Sequence, residues 1–368
     1  MERGSPVTLA VYANQDQGQQ FGSQEQMFRE IAQLAAAEGF DFFILTPGFS
    51  ETAIEGYRLV ATGTRMAWNR ERVNWPKITF RRLVHYPARL HRLIQKEERL
   101  LEQQSLLLTL PRRLGNKWRT YQRLQKVSSL RPFLPKTAIL RQGARLLPFL
   151  DEMKDMYIKP VLGSQGSRVM RVHMDAGVIT LASSQMEVCA FVQNDVRELE
   201  RTVSERLSGY AAVVQETVDL MQTKSGEPVD LRCLVQAVGA GGEVFVTPIA
   251  RVGMRDHVTT NLHTGGKGFS CKKLEEFLCV DQVDLWRRGV AQAKTLARKV
   301  FDQFQHEYPP LFELGIDLAI DRGGQVFFLE INPCPGRRML RQVSRDWRTR
   351  SLARMVEYAM LAARGNQG

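Results

Sequence analysis

The stretch that most limits what this chain can become is LGIDLAIDRGGQVFFLEINPCPGR, residues 314–337. Its alternating apolar and polar residues read as two strands, with Asp321-Arg322-Gly323-Gly324 as the turn between them. Pairing Asp321 with Gly324 sets Asp317 opposite Phe328. On that register Ile316, Leu318, Ile320, Phe327, Leu329 and Ile331 form one apolar face, and Asp317, Asp321, Glu330 and Asn332 the other. Asp317 and Glu330 become diagonal neighbours. Two carboxylates that close repel unless a cation or a proton lies between them. Oxygen donors alone suit Mg²⁺ or Mn²⁺ shared with substrate phosphates. A hairpin with one wet polar face has the same periodicity, so the pattern by itself leaves both readings open.

Partners for an anion lie upstream. YIKPVLGSQGSRVMRV (157–172) sets Lys159 at a strand end, then Gly163, Ser164 and Gly166 in a short polar loop. Glycines let backbone N–H groups approach a phosphate. The loop lacks GKS/T and opens no helix, so it is neither a P-loop nor a dinucleotide fingerprint. VVQETVDL ends an apolar strand in Gln215, Glu216 and Asp219. PVDLRCLVQAV places Asp230 and Arg232 on one strand face, IARVG adds Arg251, and TTNLHTGG adds Asn261, Gly265 and Gly266. His257 and His263 have no zinc spacing, and no Ser-His-Asp or Cys-His order emerges.

The spacing D-x12-E-x-N followed by P-x-P-G resembles the metal-binding signature of the ATP-grasp superfamily. With NKWRTYQRL, RPFLPKT, YIKPVLGSQG, VDLRCLVQ and NLHTGG, the chain is similar to the endospore coat-associated YheC/YheD group. That resemblance implies an α/β (α+β) fold, two lobes clasping a nucleotide behind a small α/β pre-ATP-grasp domain. It implies ATP with two Mg²⁺ or Mn²⁺ ions on Asp317, Glu330 and Asn332. Lys117, Lys159, Gly163, Ser164 and Gly166 would hold phosphates, and Gln215, Glu216 or Asp219 the adenosine. Arg232, Arg251 and Asn261 would steady the transferred phosphoryl group, and Gly265, Gly266 and Arg337 the substrate. The implied reaction is an ADP-forming carboxylate–amine ligation on an amino acid or peptide. An idle nucleotide-binding protein of the spore coat and a kinase of the same fold are its rivals.

The expected organisation is an N-terminal domain over 1–112 and an ATP-grasp domain over 113–364, with a smaller lobe at about 150–215 and a C-terminal lobe at about 216–364. VTLAVY, the helix SQEQMFREIAQLAAAEG and FDFFILTPG form a strand–helix–strand unit with a parallel pair. Residues 88–126 read as charged helix broken at Pro111. The chain turns β-rich from 151, with a long helix at about 283–307 and a last helix, SLARMVEYAMLAAR. Five scattered cysteines without a CxxC pair suit a reducing compartment, and MERGSPVTLAVYANQDQ has no signal-peptide pattern, so a cytoplasmic protein is expected. The net charge of +12 fits anionic substrates, but no nucleic-acid motif accompanies it.

Overall fold

The computed structural model describes residues 6–15, 20–83, 86–108, 115–141, 143–163, 168–183, 186–192, 195–238, 243–255, 265–308 and 310–365. Three sheets follow one another along the chain. In the first, buried apolar runs alternate with an amphipathic helix, which is the recipe for a parallel layer. Strands β1 (Thr8–Ala13), β2 (Asp41–Leu45), β5 (Ile78–Arg82) and β6 (Leu106–Leu108) are parallel. The hairpin β3 (Glu55–Thr62) and β4 (Arg65–Arg72) extends the β2 edge, giving the order β4-β3-β2-β1-β5-β6. Helix α1 (Glu25–Ala37) buries Met27, Phe28, Ile31 and Ala35, and Gly39 at φ +77° follows its end. The expected charged helix over 88–126 divides instead into α2 (His91–Gln104), β6 and α3 (Lys117–Gln125). The apolar triplet of β6 completes the sheet beside β5, whereas Pro111 lies outside the described residues.

The second sheet is antiparallel, in the order β11-β10-β9-β8-β12-β7. It comprises β7 (Thr137–Leu140), β8 (Asp155–Pro160), β9 (Met170–Asp175), β10 (Val178–Ser183), β11 (Met186–Val192) and β12 (Ala212–Glu216). Helices α4 (Leu147–Met153) and α5 (Val196–Leu207) share a core with one face, Leu199, Val203 and Leu207 meeting Ile158, Val172 and Ile179. Strand β11 is absent from the sequence expectation. Its Val188 and Val192 are 67% and 53% exposed, so no polar face marks its period.

The third sheet runs β15-β14-β13-β16-β17, from β13 (Val229–Val238), β14 (Glu243–Val252), β15 (Lys267–Ser270), β16 (Glu313–Ile320) and β17 (Val326–Asn332). After the single turn α6 (Cys271–Leu274), α7 (Val280–Glu307) crosses one face, burying Trp286, Ala293, Leu296, Val300 and Phe304 against Leu231, Cys233, Val235, Ile316 and Leu318. A Cβ on Gly289 would lie 2.9 Å from Ile320, so that helix position needs glycine for its close approach to the sheet.

The hairpin register corrects the expected one. Asp317 pairs directly with Glu330, a bulge takes up Leu329, and Leu318 then pairs with Phe328 and Ile320 with Val326. Asp321 closes on Gln325, with its N–H donating to the Gln325 carbonyl at 2.9 Å, and Gly324 takes φ +84° in the turn. The core face therefore carries Ile316, Leu318, Ile320, Val326, Phe328 and Ile331, while Phe327 and Leu329 are only half-buried. Two short-range terms decide this. The turn takes one more residue than the two-residue type, and the extra residue at Leu329 restores the polar face for Glu330.

After β17 come α8 (Arg338–Val343) and α9 (Arg345–Gly365). Helix α9 returns to the first layer, where Leu352, Met355, Val356 and Ala359 share a core with Phe28, Ile31 and Phe80. The same core includes Phe312 at the start of the third sheet's hairpin, so the first and third sheets are joined through one apolar contact zone. Among the described residues no helix is long and apolar enough to cross a membrane.

Candidate functional site

The face of the third sheet turned away from α7 carries charge in alternating sign. Antiparallel pairing sets Asp230 opposite Arg251 and Arg232 opposite Asp317. Arg251 Nε donates to Asp230 Oδ1 at 2.6 Å, and its Nη2 reaches Asp317 Oδ2 at 3.0 Å. Arg232 forks onto Asp317, its Nη2 donating to Oδ2 at 2.7 Å and its Nε to Oδ1. Asp230 and Arg232, two apart on one strand, therefore pair across strands and not with each other. Asp230, Arg251 and Asp317 are 3%, 3% and 2% exposed. Burial alone would raise Asp317, but Arg232 and Arg251 outweigh it and hold the carboxyl below its ordinary value. Burial works against the Arg251 charge too, and Asp230 and Asp317 more than reverse that.

Glu330 continues the line on β17, opposite Asp317. Lys117, the first residue of α3, lies 3.4 Å from Glu330 Oε2 and donates to the Gly163 carbonyl at 3.0 Å. Its own N–H donates to Val161 at 2.9 Å, so α3, the end of β8 and the hairpin converge on this lysine. Asn116 caps the helix, accepting from Arg119 N at 3.0 Å. Lys159, on the facing side of the second sheet, donates to Gln215 Oε1 at 2.7 Å. The residue as a whole is half-buried, but its ammonium end is enclosed. Burial pulls it down to about 8, with Glu330 opposing and Lys117 adding to the shift. Asn332 Oδ1 accepts from Cys334 N at 3.1 Å, which turns the amide toward the Pro333–Pro335 loop.

The structure thus brings Lys117, Lys159, Gly163, Gln215, Arg232, Arg251, Asp317 and Glu330 to the space between the second and third sheets. Asn332, two residues beyond Glu330, ends β17 beside them. Glu216 sits at the end of β12 beside Lys136, whose N–H is 3.4 Å from its Oε2. Asp219 is exposed and paired with Arg322 of the hairpin turn at 3.1 Å. Gly265, at φ +90°, and the buried Gly266 precede β15 next to Met254, at the β14 edge. Arg337 is apart from the group, buried against Glu313 and Ser351. Ser164, Gly166 and Asn261 lie outside the described residues, as do His257 and His263.

Sequence reasoning overlooked the Asp155 cluster. Asp155 accepts from Arg171 Nε at 2.9 Å and from Thr217 Oγ1 at 2.8 Å, which ties β8 and β9 to the segment after β12. The only sequence signal is its place at the head of MYIKPV.

Among the described residues no three His, Cys, Asp or Glu side chains cluster as metal ligands. A divalent ion here would rest on two carboxylates and an amide, all oxygen donors, one pair of them directly cross-strand. That donor set fits Mg²⁺, which keeps several waters and shares the remainder with phosphates. Asp317 already faces two guanidiniums, so Glu330 is the freer of the two carboxylates.

The YheC/D like ATP-grasp family model matches residues 107–361, more than half of the 368-residue chain. The chain belongs to this family. Bacillus subtilis YheD and YheC, both described as endospore coat-associated proteins, are each 25% identical to this ATP-grasp chain, over 78% and 63% of its length. It spans 62% and 63% of theirs. Among solved structures it resembles a Chryseobacterium gregarium RiPP-associated ATP-grasp ligase in complex with ADP and a leader and core peptide. That likeness has a TM-score of 0.55 at 12% identity over 97% of both chains. It also resembles the ATP-grasp ligase PsnB with minimal precursor, Mg and ADP, at a TM-score of 0.52 and 14% identity, over 95% of this chain and 97% of that one. The fold is that of the ATP-grasp ligases.

Proposed function

We propose that the chain is an ATP-dependent carboxylate–amine ligase acting through an acyl phosphate, with an amino acid or peptide as acceptor. The observation that carries this reading is the juxtaposition of Asp317 and Glu330 with Lys117, Lys159, Arg232 and Arg251 between two sheets. Mg²⁺ would be held by Asp317, Glu330 and Asn332 and would neutralise ATP phosphates. Lys117, from α3, and Lys159, from β8, would pair with the phosphates. Arg232 and Arg251 stabilise negative charge on the phosphoryl group and on the acyl phosphate. A substrate carboxylate oxygen forms a bond to the γ-phosphorus as the bond to ADP breaks. An amine then adds to the acyl carbon, loses a proton, and phosphate leaves. No side-chain nucleophile is required, because positioning and electrostatics lower both barriers. The leader and core peptide named for the Chryseobacterium ligase structure supports a peptide acceptor, and the two Bacillus relatives support a spore-coat association.

The test supplies Mg²⁺–ATP with pools of amino acids and peptides and follows ADP and inorganic phosphate. Equal release of both, dependent on an amine and a carboxylate together, is the expected result. ADP without phosphate would identify a kinase. A second reading, nucleotide binding without turnover, draws on Asp317, which is neutralised by its two arginines without any metal. Binding with no ADP release across the pools would favour it.

Lys159 gives a pH prediction. Its folded value of about 8 lies below the ordinary lysine value of about 10.4. Between the two the unfolded chain binds more protons, so stability is expected to rise with pH there. Nucleotide phosphate favours the charged lysine, so affinity for Mg²⁺–ATP should fall about tenfold between pH 7 and 9.5. Calorimetry at the two pH values checks this, and Lys159→Met should flatten the profile.

A further inference from the structure

Where the first sheet meets the third, a second polar cluster lies apart from the carboxylate hairpin. Arg82, the last residue of β5, donates from Nη1 to Glu313 Oε1 at 3.1 Å and from Nη2 to the Pro335 carbonyl at 3.2 Å. Arg337 donates to the other oxygen of the same carboxylate, to Ser351 Oγ at 3.0 Å and to the Pro335 carbonyl at 2.8 Å. The side chains of Arg82, Arg337 and Glu313 are 6%, 1% and 9% exposed. Two guanidiniums thus share one buried carboxylate, with one positive charge in excess. Arg81, next in line, is already paired with Glu98. Burial lowers Arg337, Glu313 opposes that, and the neighbouring Arg82 adds to it. Buried charge of one sign calls for a counter-ion.

Arg82 also has a donor to spare. Its Nε is buried and has no hydrogen-bond partner. A cleft of about 30 Å³ opens beside it, lined by Phe80, Arg82, Leu311, Phe312, Glu313 and Pro333 among others. That is room for about two waters or one carboxylate. The cleft lies between β5 and β6 of the first sheet, the start of the third sheet's hairpin and α9.

We propose that this cleft binds a small carboxylate anion of about the size of acetate. The Arg82 guanidinium takes the anion, whose charge offsets the excess positive charge of the Arg82, Glu313 and Arg337 group. The site needs no nucleotide and stands independently of the ligase reading. A terminal carboxylate on the ligation substrate and a free acid acting as effector present the same chemistry.

The test is calorimetry on the full chain in chloride-free buffer, with acetate and its isosteric amide, acetamide, as probes. The acid is expected to bind at least about tenfold more tightly than the amide, and Arg82→Gln to lose at least that factor. The acid–amide comparison on the unaltered chain decides the matter even where Arg82→Gln fails to fold. Equal binding of the two probes, or no acid binding up to about 10 mM, overturns the proposal. ADP release that consumes the acid assigns the cleft to substrate, and binding without turnover assigns it to an effector; either result retains the site.

Discussion

Glu330→Gln is expected to abolish Mg²⁺-dependent ATP binding and to lower any ATP turnover by at least about a hundredfold. The substitution keeps the shape of the side chain and removes its charge. Glu330 is the carboxylate left freer, since Asp317 is gripped by Arg232 and Arg251, and its ion-pair contact among the described residues is Lys117 at 3.4 Å. Its side chain is 32% exposed, so losing that contact should cost the fold less than about 1 kcal/mol. Titration of Mg²⁺–ATP into both proteins, with and without metal, reads the binding, and thermal unfolding confirms that the variant folds. Turnover unchanged in the variant would remove the hairpin from the site.

The hairpin illustrates what the sequence made legible and what it hid. Resemblance to the ATP-grasp signature pointed to Asp317, Glu330, Asn332 and Lys159 as candidates, and the structure sets Asp317 opposite Glu330 with Lys159 facing them from the second sheet. Periodicity could not reveal the bulge at Leu329, because Phe327, Phe328 and Leu329 are equally apolar and any of them could face the core. The bulge matters to the site, since it changes Asp317 and Glu330 from diagonal to direct partners. The charge ladder was hidden for another reason. Asp230 and Arg232 suggest a pair by proximity in sequence, but their partners are set by the antiparallel neighbours β14 and β16, which are fixed by tertiary pairing. Arg337 shows the limit most plainly. It follows the PCPG loop as a substrate ligand would, and it is buried against Glu313 of β16 and Ser351 of α9. A local motif places a residue near a site; the packing of distant segments decides where it points. Strand β11 and Arg82 belong to the same class, the former lacking a polar face and the latter having its partner Glu313 far along the chain.

The largest effect on stability should come from Arg251→Met. Arg251 holds Asp230 and Asp317 at once, in a place where all three side chains are almost fully enclosed. Removing the guanidinium leaves Asp230 without this partner and Asp317 with Arg232 alone, and the expected cost is about 3–5 kcal/mol, read from the shift in urea midpoint. Arg232→Met should cost less, because its side chain is 15% exposed and Arg251 still reaches Asp317. The acid limb separates charge from packing. Asp317 is held below its ordinary value, so its contribution is fully present above about pH 4 and is lost as pH falls through the depressed folded value. Stability of the parent and of Arg251→Met should therefore converge as the medium becomes strongly acid. A gap that stayed constant would mean the loss came from packing. Pairing Arg251→Met with Asp230→Leu tests the same point at neutral pH. Two apolar side chains in place of the buried pair should recover much of the loss, since the penalty lies in the charge left without its partner. Should the double variant be stable and still fail to turn over ATP, Arg251 would be serving the phosphoryl group as well as the sheet.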